Sequence, residues 1–176
     1  MTTLRARLTA HSVFRSYRRY FAFLSFAFVS VFLTHAAEQS LTVTNTDGHS
    51  TTISAAQIAS ASRVSVSVEE HGTAAKFEGV PLSTVLTMSG VQLGDSLRGP
   101  RMADALLVSA SDGYKVAFAL AEVDPAFASR EIILADKRDG KPLDAREGPF
   151  RIIAPGDKRP ARWIRQITDL KIIAIK

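Results

Sequence analysis

The 176-residue chain contains no cysteine, so whatever it folds into stands on burial, hydrogen bonds and bound ligands, with neither disulfides nor thiolate-held metals to staple it. Its first 36 residues read as a separate segment. Arg5, Arg7, Arg15, Arg18 and Arg19, with no acidic residue among them, precede the mostly apolar stretch Phe21 to Leu33, and Ala36 and Ala37 follow. That is the three-part layout of an export signal. Such a stretch rises about 20 Å as a helix against the ~30 Å of bilayer hydrocarbon, which favours removal, after Ala36 or Ala37, over retention as an anchor. Arg18-Arg19 also meets part of the twin-arginine export pattern, but Tyr17 and Ala22 depart from it, and ordinary export is preferred. The chain is therefore read as a leader over 1–36 and a single domain over 37–176, periplasmic or secreted.

The leader also carries the charge imbalance. The whole chain has a formal net charge of +5 from 22 basic and 17 acidic residues; without the five leader arginines, 17 stand against 17. A formally neutral domain has no broad basic stripe to neutralise phosphates, and nucleic-acid binding loses its electrostatic argument. The remaining length suits one compact domain with its own core.

Within that domain, short apolar runs are broken by turn residues. Leu41 to Thr46 and Thr51 to Ile53 flank Asn45-Thr46-Asp47-Gly48 as an opening hairpin, and Ser54 with Gln57 has capping-box spacing for a short helix through Ile58. Arg63 to Val68 alternates valine with serine as a half-buried strand does. His71-Gly72 turns the chain into a strand over Ala74 to Phe77, which Gly79-Val80-Pro81 ends. Pro81 opens a helix that buries Leu82, Val85 and Leu86 and stops at Gly90. After a loop over Gln92 to Asp104, strands are predicted at Ala105 to Ala110 and Tyr114 to Ala119 around Ser111-Asp112-Gly113, then at Glu131 to Ala135, Phe150 to Ala154 and Leu170 to Ile175. Leu120 to Phe127 reads as a short helix broken at Pro125, Asp136 to Gly148 as a turn-rich stretch, and Ala161 to Ile167 as one or two helical turns. Strands dominate, helices are short and their order is irregular, so the expected class is mixed α+β.

No G-x-S-x-G elbow, S-x-x-K context, G-x-G-x-x-G or P-loop occurs, which leaves nucleophilic hydrolysis and nicotinamide chemistry without residues to rest on. His49 and His71, the two histidines beyond the leader, are too far apart to form a metal signature by spacing. Glu69 and Glu70 adjoin His71, but neighbours on a strand point to opposite faces, so only one of them can share a site with it.

Two motifs remain, SASDGYKVAF and EGPFRIIAPGDKRPARWIRQI. Together, and with GVPL ahead of them, they resemble the molybdopterin-binding domain of the sulfite oxidase family in a short, single-domain secreted form, over roughly Thr73 to Lys176. The resemblance implies a strand-rich scaffold with short helices and a cofactor site. In the family a cysteine ahead of the GVPL helix gives its thiolate to molybdenum; here neither Ser67 nor His71 reproduces that soft donor. What the resemblance leaves is the organic half of the site. Lys158, Arg159 and Arg162 supply cations, Trp163 a flat face, and Asp112, Glu122 or Asp157 a carboxylate for a donor edge, with Tyr114 in the DGY turn and His71 where a metal centre would be approached. Each has a plain alternative: Trp163 as core, Asp112 and His71 as turn residues, Lys158 and Arg159 as a solvated loop, Arg162 and Arg165 as a helix face paired with Asp169. The resulting expectation is a periplasmic protein that binds a small planar heterocycle, a pterin or molybdopterin, without catalysis, and feeds a membrane-bound signalling protein, as similar cysteine-less forms do. The alternative is a molybdopterin-dependent oxidoreductase domain or subunit.

Overall fold

The computed structural model describes residues 39–175; the leader expected over 1–36 lies outside them. β1 (Ser40–Thr44) and β2 (Ser50–Ser54) form the opening hairpin, with Leu41 opposite Ile53. Ser54 then caps α1 (Ala55–Ser60). Its hydroxyl accepts from Gln57 N at 3.3 Å and its own N–H donates to Gln57 Oε1 at 2.8 Å, so the capping box satisfies two donors reciprocally.

β3 (Val64–Glu70) pairs along its whole length with β4 (Thr73–Pro81), from Val64 opposite Gly79 to Glu70 opposite Thr73. His71 and Gly72 between them have φ of 51° and 80°, the two positive values of a type I′ hairpin. The sequence predicts that Gly79 ends this strand, yet β4 runs through it to Pro81. A Cβ at Gly79 would stand 2.1 Å from the Leu134 carbonyl oxygen. The glycine therefore admits β7 (Ile133–Arg138) against β4 at a register shift instead of turning the chain. α2 (Leu82–Met88) follows, burying Leu82, Val85 and Leu86 as its spacing predicts.

Two short 3-10 turns, Gly94–Ser96 and Gly99–Ala103, occupy the predicted loop. β5 (Ala105–Ala110) and β6 (Lys115–Ala119) form the second predicted hairpin, and α3 (Leu120–Val123) continues from it. β7 extends past its predicted end at Ala135, turns at Asp139-Gly140 and returns as β8 (Lys141–Pro142). β9 (Arg151–Ile153) also lies against β7. The helical turns predicted over Ala161 to Ile167 shrink to one 3-10 turn, Pro160–Arg162, before β10 (Ile167–Ile173). Neighbouring backbone claims that segment first: Ile152 N donates to Ile164 O at 2.9 Å and Ile167 N to Phe150 O at 3.2 Å. Tertiary pairing thus overrides the local helical pattern.

One sheet runs β2-β1-β10-β5-β6, with β1 and β10 parallel; the other runs β3-β4-β7-β8, with β9 also on β7. Both feed one apolar interior, the first through Val43, Leu106, Phe118 and Leu170, the second through Phe77, Val80, Leu134 and Ile152. The architecture is the strand-rich α+β class expected. No helix of the described residues is long and apolar enough to cross a membrane.

Candidate ligand-binding site

The β3–β4 turn, the β5–β6 turn and the stretch Arg159 to Gln166 border a cleft of about 690 Å³, within the range of small-molecule sites. Asp112 Oδ1 accepts from Tyr114 N at 2.8 Å, which shapes the β5–β6 turn as an Asx turn. Tyr114 donates its hydroxyl hydrogen to Ala161 O at 3.0 Å, bridging that turn to the opposite wall while leaving its ring half exposed. Gln166, at φ 52°, fastens the wall: its N–H donates to Glu147 O at 3.1 Å, Nε2 to Ala145 O at 2.8 Å, and its carbonyl accepts from Ser111 N at 3.0 Å.

The lining divides by burial. Arg146, Arg159, Arg165, Asp112 and His71 are exposed. Among the described residues, no carboxylate pairs with any of those three arginines. Ala110, Trp163 and Ile164 are buried and apolar, and beside them Glu70 and Arg151 are buried and charged. Arg151 pairs through Nη2 with Glu70 and through Nη1 with Glu147 at 2.6 Å. Arg138 from β7 reaches the same two carboxylates at 3.2 and 3.3 Å. Both guanidinium carbons lie over the Phe77 ring, 5.4 Å (Arg138) and 5.2 Å (Arg151) from its centroid. This quartet of two cations and two anions is neutral. Burial alone would raise the Glu70 carboxyl, but the hydrogen bond and charge of Arg151, with Arg138 and His71 behind, outweigh it and hold the group below the ordinary range. Among the described residues, Arg151 Nε is buried and has no hydrogen-bond partner.

Of the residues singled out by sequence, His71, Asp112, Tyr114, Arg159 and Trp163 line the cleft. Trp163 does so as core, only 5% exposed, with Nε1 donating to Ala154 O at 3.0 Å. Asp157, Lys158 and Arg162 are not brought there. Lys158 is exposed elsewhere. Arg162 grips Asp157 through Nε at 3.0 Å and Nη2 at 2.7 Å, and reaches Glu122 through Nη1 at 3.0 Å. Arg130 binds the same two carboxylates. This second neutral quartet ties the Pro160–Arg162 turn to α3 outside the cleft lining, and among the described residues Arg162 does not pair with Asp169. Burial would raise Asp157, but Arg162 and Arg130 hold it below the ordinary range.

Sequence reasoning missed Glu70, Arg146, Arg151, Arg165 and Gln166 as cleft residues. For Glu70 a signal existed: alternation allows one of Glu69 and Glu70 to share a site with His71, and the structure takes Glu70. Among the described residues, no three His, Asp or Glu side chains converge to hold a metal ion. With Glu70 already spanned by two guanidiniums and no thiolate in the chain, the cleft does not fit molybdenum held by a protein sulfur.

The family model for the oxidoreductase molybdopterin binding domain matches residues 33–174. Among solved structures, the fold is similar to the crystal structure of the sulfane dehydrogenase SoxCD from Paracoccus pantotrophus, with a TM-score of 0.60 and 15% identity over 77% of this chain. The match spans 38% of the SoxCD chain. No curated protein sequence matches this one significantly.

Proposed function

The chain belongs to the oxidoreductase molybdopterin binding domain family, and from that premise we propose that it binds a pterin-type heterocycle carrying an anionic group, without a metal held by the protein. The observation that carries this reading is the pairing pattern at the cleft: among the described residues, Arg146, Arg159 and Arg165 have no carboxylate partner, no three metal-ligating side chains converge, and Glu70 is already paired with two guanidiniums. Unpaired guanidiniums attract an anionic ligand and can hold a phosphate or carboxylate through two parallel bonds. The exposed Tyr114 ring offers the planar heterocycle an aromatic face, a part for which Trp163 is too buried. On this reading the leader exports the protein, and the ligand-loaded domain reports to a membrane-bound signalling partner.

The family match favours a second reading, an oxidoreductase domain that acts on a molybdopterin whose metal is ligated without protein sulfur. Purified full-length chain distinguishes the two. Metal analysis is expected to find no stoichiometric molybdenum, and pterin-6-carboxylate at a hundredfold over its Kd to add about 2.7 kcal/mol, raising the melting temperature by roughly 10 °C, with adenine inert. Stoichiometric molybdenum with turnover of an electron acceptor decides for the oxidoreductase; a melting temperature that pterin-6-carboxylate does not move overturns the binding reading.

A further inference from the structure

We propose that Glu70 is the specificity-determining residue of the cleft, the acceptor that reads an amino group on the bound heterocycle. The inference rests on the pterin reading above. Of the carboxylates near the two motifs, Glu122 and Asp157 lie outside the cleft lining, and Asp112 stands exposed where water competes. Glu70 is the buried carboxylate in the lining, 9% exposed, and buried polar groups discriminate most because a mismatched ligand leaves them unpaired.

Its bonding is incomplete in the right sense. A carboxylate has about four acceptor sites. Glu70 Oε2 meets Arg151 Nη1 at 3.5 Å and Arg138 Nη1 at 3.2 Å, while Oε1 accepts from Arg151 Nη2 alone. One acceptor position is left on Oε1. The guanidiniums on either side orient the group and keep it ionised, and the type I′ turn at His71-Gly72 fixes the backbone immediately after it. Beside it, Arg151 is buried in the same lining and held to Glu70 and Glu147 by its Nη atoms, its Nε having no partner among the described residues. A spare acceptor on a buried, ionised carboxylate complements an amino group, such as the 2-amino group of a pterin. A lumazine, with a carbonyl in place of that amine, turns a lone pair toward Glu70.

Fluorescence titration of the full chain with pterin-6-carboxylate and lumazine-6-carboxylate tests this, since the two share their ring system and anion. The wild type is expected to prefer the pterin by tenfold or more, the scale of a charge-assisted hydrogen bond. Glu70→Gln, which can donate to the lumazine carbonyl, is expected to erase or invert that preference; Glu69→Gln, exposed on the opposite face, retains it. Equal wild-type affinities, or a preference that Glu70→Gln leaves intact, overturn the role of Glu70 while the pterin site stands. Binding of neither compound by the wild type overturns the pterin reading and this inference with it. Should Glu70→Gln fail to fold, Glu70→Asp, which keeps the charge but draws the carboxylate back by one carbon, is expected to lower the pterin preference, and an unchanged preference overturns the role of Glu70.

Discussion

Arg162→Ala separates a ligand-binding cation from a structural one. In the native domain Arg162 makes three charge-assisted bonds, two to Asp157 and one to Glu122, and its guanidinium carbon lies 4.6 Å from the Phe118 ring centroid. Truncation leaves Asp157, 10% exposed, with Arg130 alone. Breaking a fully buried pair costs about 3–5 kcal/mol and an exposed one about 0–1. Arg162 is one-third exposed, which places the loss between those limits, at about 2–3 kcal/mol with the aromatic contact included. For a domain of this size that lowers the melting temperature by roughly 8–12 °C. Calorimetric melting alongside titration with pterin-6-carboxylate well below the transition provides the assay. The expected result is a large drop in melting temperature with affinity changed by no more than a few-fold, and Arg162→Lys, which keeps the charge without the planar fork, falls between alanine and wild type. An unchanged melting temperature with a tenfold loss of affinity would refute the structural assignment and return Arg162 to the ligand.

Trp163→Ala is expected to cost about 3–5 kcal/mol in denaturant unfolding, as for other buried large-to-small changes, whereas Trp163→Phe, which chiefly forfeits the bond to Ala154 O, costs about 1 kcal/mol; a stable alanine variant would place the indole on the ligand side. Gly79→Ala forces a Cβ into the β7 backbone and is expected to cost about 3 kcal/mol or to prevent folding, read from melting and soluble yield. Glu70 and Asp157 are both held below their ordinary carboxylate values, so their pairing stabilises the fold fully at neutral pH and is lost as the pH falls below about 4.5, the ordinary glutamate value, and through the depressed ones. Melting temperature is therefore expected to be level from pH 7 to 5 and to drop on further acidification, with a shallower acid limb in Asp157→Asn; a level profile down to pH 3 would contradict the pairing.

The elements legible in the sequence were those whose signals are local. The Ser54 and Gln57 capping box, the valine alternation of β3, the inward face of α2 and the His71-Gly72 turn each depend on residues within a few positions of one another, and each is present. The misreadings share a different cause. Gly79 looks like a strand end when the chain is read alone and becomes a point of close approach only once Leu134, 55 positions later, is beside it. Ala161 to Ile167 has helical spacing, but the backbone of Phe150 and Ile152 takes its hydrogen bonds first. Local pattern sets which structures a segment can adopt, and distant pairing chooses among them.

The same distinction governs the site. Residue type pointed to the motif segments, and five of the eight residues singled out do line the cleft, but type does not say whether a charge already has a partner. Arg162 and Glu122 lie 40 positions apart, Arg151 and Glu70 81 apart, so the sequence showed neither quartet. Those pairings decide the chemistry. Once each quartet cancels internally, the charged residues left on the cleft are Arg146, Arg159 and Arg165 against Asp112, in a domain whose basic and acidic residues balance as a whole. On the proposed reading, an attraction for anions arises from which arginines are left unpaired rather than from net composition. It follows that adding an acid beside the rim, as in Ala161→Glu, should weaken pterin-6-carboxylate binding more at low salt than at high, because screening removes the added repulsion over about 10 Å at 0.1 M ionic strength. The same acid placed at exposed Thr52 on the edge strand β2, outside the cleft lining, should change neither affinity nor salt dependence. Equal responses at the two positions would mean that the three arginines do not form the anion site.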